Sequence, residues 1–319
     1  MTSRLLASLA LIMSFSAFGQ AEYPTKPVRI VVPLAAGGIT DIAARLMASK
    51  LSERTGQNFI VENRPGPGGI IGAEMVAKST PDGYTLLMGT VSSNAISQSF
   101  YPNLGYNVMR DFTPLHLVTT QPLMLVVSPS VPANTLLEFV RLLKSDPTKY
   151  SLGNTGVGTS NHLATVLFGL QSDTKPLHVP YKGSGPLVVD LLAGTVAAAF
   201  DNLPTALAQV RTGKLKALAV TSGKRFPAVP DVPTVAETYP SFQVTSWQGM
   251  FAPSGTPEPV VRKLVTELQA ILRSPDVTAR ISSMGAEAGT LSGPEFGAFV
   301  RDEITRWGAA VKASGAKPE

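Results

Sequence analysis

Short branched-aliphatic runs alternate with longer amphipathic stretches along most of the chain, the pattern of strands feeding helices. Val28 to Val32 reads as a buried parallel strand, and Ile42, Leu46, Met47 and Leu51 mark one face of a helix over about Asp41 to Thr55 that Gly56 stops. Phe59 to Val61 and Thr85 to Met88 are the next strands, with a helix over Ile70 to Ser79 between them. Leu115 to Thr120 and Leu123 to Ser128 are two further strands, the second apolar throughout and a candidate to cross between lobes. From about Pro129 the alternation restarts, with a helix near Leu136 to Lys144, a strand near Tyr150 to Leu152 and a helix from about Asn161. Strands over Leu177 to Pro180, Ala197 to Phe200 and Leu215 to Thr221 alternate with helices over Leu187 to Leu192 and Thr205 to Arg211. Trp247 to Ala252 is a returning strand, and helices near Pro259 to Arg273, Val277 to Met284 and Pro294 to Ala313 pack back on the first lobe. The order predicts an α/β fold with mainly parallel sheets flanked by helices.

Two strand-to-helix junctions stand out within that pattern. The first, Leu34-Ala35-Ala36-Gly37-Gly38-Ile39-Thr40-Asp41, carries glycines that let the backbone approach a ligand, ahead of a helix that Thr40 or Asp41 can cap. The first amides of a helix have no internal partner and the dipole favours negative charge there, so this reads as an anion seat. An ordinary capped turn would carry the same residues. The second junction, Thr155-Gly156-Val157-Gly158-Thr159-Ser160-Asn161-His162, repeats the arrangement. Two seats in successive α/β units suggest one ligand gripped from both sides. Ser92, in the polar loop Gly89 to Asn94, and Asp201 also follow strands, where open parallel sheets bind ligands.

Composition narrows the classes. Hydrophobic residues make up 44% of 319 and charged ones 15%, a globular balance for about two domains. The net charge of +5 is scattered, without the dense basic face that nucleic acid requires. There is no cysteine, which excludes disulfides, thiolate metal sites and cysteine nucleophiles. Arg4, the apolar stretch Leu5 to Phe18 and the small-residue positions around Gly19 to Ala21 form a secretory signal peptide, too short for an ordinary spanning helix. This predicts export to the periplasm, with cleavage near residues 19–21.

Catalytic signatures are missing. The chain has no GxSxG elbow, no HExxH and no Walker A stretch, and Gly66 to Gly72 only approaches a dinucleotide fingerprint because Ile71 holds the third glycine's place. No catalytic residue, metal site or cofactor is assigned. His116 and His178 read as core or hinge histidines bonded to the backbone, while His162 either braces its turn or touches ligand. Asp41 either caps its helix or orders water or an amine. Trp247 either lines a cleft or fills the core, and Lys182 and Arg64 sit at a cleft rim or in solvent. A Ser160/His162 pairing offers a hydrolase alternative with no third group supplied.

A set of segments, in order across the mature chain, is similar to one family. They are Tyr23-Pro24 through Pro27, Val31 to Asp41, Val61-Glu62-Asn63-Arg64-Pro65-Gly66, Pro81-Asp82-Gly83-Tyr84-Thr85-Leu86, Gly156 to Leu163, His178-Val179-Pro180-Tyr181-Lys182-Gly183, Asp231-Val232-Pro233-Thr234 and Ala252 to Pro257. The chain resembles the Bug family, the periplasmic substrate-binding receptors of tripartite tricarboxylate transporters. Ile39 and Asn154-Thr155 depart from the family pattern beside the seats and bear on which ligand is held.

The resemblance implies a two-lobed type II periplasmic binding fold with two crossing strands as hinge. The expected division is 1–21 as leader, 22–124 with 250–319 as one lobe, and 125–249 as the other. It further implies a receptor, not an enzyme, that captures a small carboxylate between its lobes. A dicarboxylate, a tricarboxylate, an acidic amino acid and an aromatic acid all remain open. The loaded form would be delivered by a monomer to membrane transporter subunits, or presented to a signalling partner as a sensor. The candidate binding residues are Leu34, Ala35, Ala36, Gly37, Gly38, Asp41, Ser92, Thr155, Gly156, Gly158, Thr159, Ser160, His162 and Asp201.

Overall fold

The strand Phe112–Val127 runs through both sheets of the protein, and the other elements are arranged about it. In the computed structural model, which describes residues 23–318, the first elements are β1 (Val28–Val32), α1 (Ile39–Thr55), β2 (Phe59–Asn63), α2 (Ile70–Ala77), β3 (Thr85–Thr90), α3 (Ser97–Phe100) and α4 (Val108–Asp111). Then come β4 (Phe112–Val127), α5 (Leu136–Ser145), β5 (Leu152–Asn154), α6 (Ser160–Ser172), β6 (His178–Pro180), α7 (Ser184–Ala193), β7 (Ala198–Asn202), α8 (Leu203–Arg211) and β8 (Lys216–Val220). The last are β9 (Thr245–Pro253), α9 (Glu258–Arg273), α10 (Pro275–Ser283), β10 (Glu287–Ala288) and α11 (Gly293–Ser314). The signal peptide expected over 1–21 lies outside the described residues.

Two lobes result. In one, β2, β1 and β3 are parallel neighbours and β9 pairs antiparallel with β3 and with the first part of β4. In the other, β6, β5 and β7 are parallel, and β7 and β8 pair antiparallel with the second part of β4. The antiparallel pairs lie where the chain passes from one lobe to the other and back, since a reversal needs no crossover helix.

The sequence pattern gives two strands here, Leu115 to Thr120 and Leu123 to Ser128. The structure corrects this. Pro122 stands opposite Thr245 of β9 and Leu123 opposite Asn202 of β7, so the missing donor falls where the strand changes neighbours and the strand continues. The chain returns beside it through Thr221. The buried Thr221 hydroxyl accepts from the Leu123 amide (2.8 Å) and donates to the Val244 carbonyl (2.6 Å), lacing three segments together.

Helix α1 begins at Ile39 rather than near Asp41, with Gly38 as its cap residue. Its buried face is Ile39, Ala43, Ala44, Met47, Ala48 and Leu51, whereas Ile42 and Leu46 are only half-buried. Small and bulky side chains share this seam, with Ala43, Ala44 and Ala48 beside Met47 and Leu51. Gly56 ends the helix as expected, with φ of 70° and its amide on the Ser52 carbonyl at 3.0 Å. The polar segment after β3, expected as a loop, forms a π-helical turn over Ser92–Ile96 that leads into α3.

Leu264, Leu268 and Ile271 of α9 and Val277 and Ile281 of α10 share a core with α1 and β1, and Phe296 and Trp307 of α11 pack with Trp247 and Phe251 of β9. Trp247 is thus a core residue, its indole donating to Glu303 Oε2 at 2.9 Å. His116 is a core residue as well, with Nδ1 at 2.6 Å from the Leu117 carbonyl, and burial lowers its pKa.

Candidate ligand-binding site

Strands β1, β3, β5 and β7 all end at one cleft between the lobes, and helices α1, α6, α7 and α8 begin there. This is the carboxyl edge of the sheets, where the chain leaves each strand and turns into a helix with free amides. The wall is formed by Leu34, Ala35, Gly38, Ile39 and Thr40 at the start of α1, by Thr90 and Ser92 after β3, and by Thr155, Ser160 and Asn161 at the start of α6. Ser184 opens α7 and Asn202 opens α8, while Ser246 and Gln248 project from β9.

The lobes touch across this cleft. The Ala35 amide donates to the Lys182 carbonyl at 3.1 Å, the Ser160 amide to Ser92 Oγ at 3.3 Å, and Tyr101 Oη to the Val157 carbonyl at 2.9 Å. Lys182 therefore meets the cleft through its backbone, and its side chain is exposed. Arg64 is ion-paired with Glu62 at the surface.

Among the described residues the cleft wall holds no Lys, Arg, His, Asp or Glu side chain. Its polarity comes from neutral groups whose orientations are set behind the wall. Gln248 Oε1 accepts from Thr119 Oγ1 (2.6 Å) and from Gln121 Nε2 (3.1 Å), and Asn202 Oδ1 accepts from Gln121 Nε2 (3.2 Å). With their oxygens engaged, both amides keep NH₂ groups for other partners. Asn161 donates to the Phe200 carbonyl (2.7 Å) and accepts from Thr155 Oγ1 (2.9 Å). Ser92 Oγ already accepts from an amide, so its proton is available.

Of the candidate residues, Leu34, Ala35, Gly38, Ser92, Thr155 and Ser160 reach the wall. The others stand around it. Ala36 and Gly37 face Gly185 across the lobe contact. Asp41 accepts from the Gly37 amide (3.2 Å) and from Arg45 (2.9 and 3.0 Å), so it braces the loop from behind. Burial works to raise its pKa, but the bonds from Arg45 and Gly37 outweigh it and hold the carboxylate below its ordinary range. Gly156 lines an outer crevice with Tyr101 and Tyr181, and Gly158 lies against the Tyr101 and Phe100 rings. Thr159 caps α6, accepting from the His162 amide at 3.2 Å.

His162 takes the bracing role. Its Nδ1 lies 3.4 Å from the Gly158 amide and its ring packs edge-on to Phe100 and His178. Burial, with the neighbouring His178, pushes its pKa down to about 4, so the ring is neutral. No hydrogen bond joins Ser160 to His162 among the described residues, where Ser160 Oγ contacts Asn161 Oδ1 at 3.5 Å. Asp201 lies behind Ser184 with no exposed surface.

Ile39, Thr40, Thr90, Asn161, Ser184, Asn202, Ser246 and Gln248 are wall residues beyond the candidates. Ile39, Thr40 and Asn161 sit in the two junctions, Thr90 in the polar loop after β3, Asn202 next to Asp201 and Ser184 just after the segment His178 to Gly183. Ser246 and Gln248 carry no local signal, because only the antiparallel register of β9 against β3 and β4 brings them in.

The model of the tripartite tricarboxylate transporter family receptor matches residues 43–316. The chain belongs to this family. The receptor is 36% identical to protein BugT of Bordetella pertussis over 321 residues, covering 99% of this chain and 98% of BugT. Its fold superposes with a TM-score of 0.90 on R. palustris Rpa4515 with adipate, at 37% identity and covering 93% of this chain and all of that one. MatC from Rhodopseudomonas palustris with bound malate gives 0.86, at 35% identity and 91% coverage of this receptor. The family and fold expected from the sequence are those observed.

Proposed function

We propose that the receptor captures a small carboxylate in the cleft described above and hands it, as a monomer in the periplasm, to the membrane subunits of a tripartite transporter without converting it. The observation that carries this reading is the cleft wall itself, where four helix N-termini and neutral amide and hydroxyl donors from both lobes converge with no charged side chain among them. Free helix amides stabilise an anion, and neutral donors leave no opposing carboxylate in the wall. Adipate with Rpa4515 and malate with MatC support the carboxylate class. The leader-like segment expected over residues 1–21 supports export.

In this reading the ligand touches Leu34, Ala35, Gly38, Ser92, Thr155 and Ser160 directly. Asp41, Thr159, His162 and Asp201 hold those groups in place, and Ala36, Gly37, Gly156 and Gly158 permit the two lobes to meet. The division into 22–124 with 250–319 and 125–249 is part of it, supported by the change of β4 partners between Pro122 and Leu123. A carboxylate that contacts both lobes favours the closed state by its differential affinity.

The test is a thermal-shift screen of the mature protein against mono-, di- and tricarboxylates, followed by mass spectrometry of the bound compound. A stabilising acid recovered unchanged is the expected result. Turnover of that acid, or stabilisation by none, overturns the reading.

A further inference from the structure

Asp201 is the penultimate residue of β7, buried behind the cleft wall, and no Lys, Arg or His side chain is bonded to it among the described residues. Ser184 Oγ donates to its Oδ1 and Thr205 Oγ1 to its Oδ2, each at 2.6 Å. Burial raises its pKa against the pull of these two hydroxyls and of the Asn202 backbone amide. Ser184 in turn lines the cleft, beside Gly38 of the opposite lobe.

Each hydroxyl has one proton to give. With Asp201 ionised, the carboxylate only accepts, and both hydroxyls must donate inward. With Asp201 neutral, its proton can sit on Oδ2 and pass to Thr205 Oγ1, which has the Asn202 carbonyl at 2.9 Å to donate to in its place. Oδ1 still accepts from Ser184. With Asp201 ionised, or with its proton on Oδ2, the Ser184 proton points away from the cleft and its lone pairs face the ligand. The amides of Gln248 and Asn202, the Ser92 hydroxyl and the helix N-termini present donors instead. A carboxylate oxygen set against Ser184 would meet lone pair with lone pair, whereas a hydroxyl or ammonium group would complete the bond.

Resting on the receptor reading above, we propose that Asp201 is a positioning residue that holds Ser184 as a hydrogen-bond acceptor, so that the cleft selects acids bearing a hydroxyl or ammonium donor beside a carboxylate over analogues that lack one.

Calorimetric titration with malate, aspartate and succinate tests this, since malate and succinate differ by a single hydroxyl. Wild-type protein should bind malate or aspartate at least about tenfold more tightly than succinate. Ser184→Ala should bring that ratio to within about threefold. Asp201→Asn keeps a carbonyl for Ser184 and an amide donor for Thr205, and should preserve the ratio. Asp201→Val releases the Ser184 proton and should lower or reverse it. A purely structural role for Asp201 would weaken all three acids equally, and the ratio separates the two roles. If Asp201→Val does not fold, Ser184→Ala and Asp201→Asn decide the matter. Equal wild-type affinities, an unchanged ratio in Ser184→Ala, or no binding of any of these three acids while another carboxylate binds would overturn the proposal. No binding of any carboxylate would overturn the receptor reading itself.

Discussion

The amide of Ala35 and the carbonyl of Lys182 meet at 3.1 Å across the cleft, a backbone bond between the two lobes. Beside it, a Cβ placed on Gly185 would lie 2.7 Å from the Ala36 carbonyl oxygen, and no other non-neighbouring group except the carbon of that same carbonyl comes within 4 Å of it. Gly185→Ala should therefore leave the lobe that carries α7 intact, and by helix propensity favour α7 slightly. Closure should suffer. We expect carboxylate affinity to fall by about tenfold or more, with the unfolding midpoint of the ligand-free protein unchanged or raised. Calorimetry and thermal unfolding on the same sample check both signs.

Glu303 gathers two buried indoles. Its Oε2 accepts from Trp247 at 2.9 Å and from Trp307 at 3.2 Å, while Arg306 holds Oε1 at 2.8 Å. Glu303→Ala strands both indole donors and should cost about 2–4 kcal/mol in denaturant unfolding. Glu303→Gln keeps an acceptor and should lose less than half of that.

His162 makes stability depend on pH in a stated direction. Its folded pKa, near 4, is below the ordinary value of 6.5 because burial, then His178, disfavour the charged ring. The unfolded chain thus takes up a proton before the folded one does. The contribution is fully present above 6.5 and is lost as pH falls toward 4, by on the order of 3 kcal/mol. His162→Phe should flatten that part of the stability–pH curve, measured by chemical denaturation across the interval.

Thr221 is the stitch of the crossing. Thr221→Val removes a partner from the Leu123 amide and from the Val244 carbonyl together, and should destabilise by about 1–3 kcal/mol. Hydrogen exchange should accelerate at the Leu123 amide and remain slow in the middle of β1.

The local chemistry of the fold was largely legible. Val28 to Val32, the stop at Gly56 and the two glycine-bearing junctions announce themselves because each depends on neighbours in sequence. The continuity of β4 through Pro122 is not a local property, since a missing amide says nothing of which neighbour it faces. Ala43, Ala44 and Ala48 belong to the packing face through tertiary context, which the spacing of larger apolar residues does not mark. Ser246, Gln248 and the Gln121–Asn202 pair belong to the site through register between distant strands, which no local pattern records.

A strand of 16 residues shared by both sheets also says what kind of joint this is. Two bodies joined by a loose loop would swing freely and close only when pulled. Here the joint is hydrogen-bonded on both sides, so moving the lobes flexes a sheet as one bends a leaf spring. The ladder changes neighbours between Pro122 and Leu123, where the missing proline donor already interrupts it. A ligand that bridges the lobes thus works against a continuous sheet and not against two independent bodies.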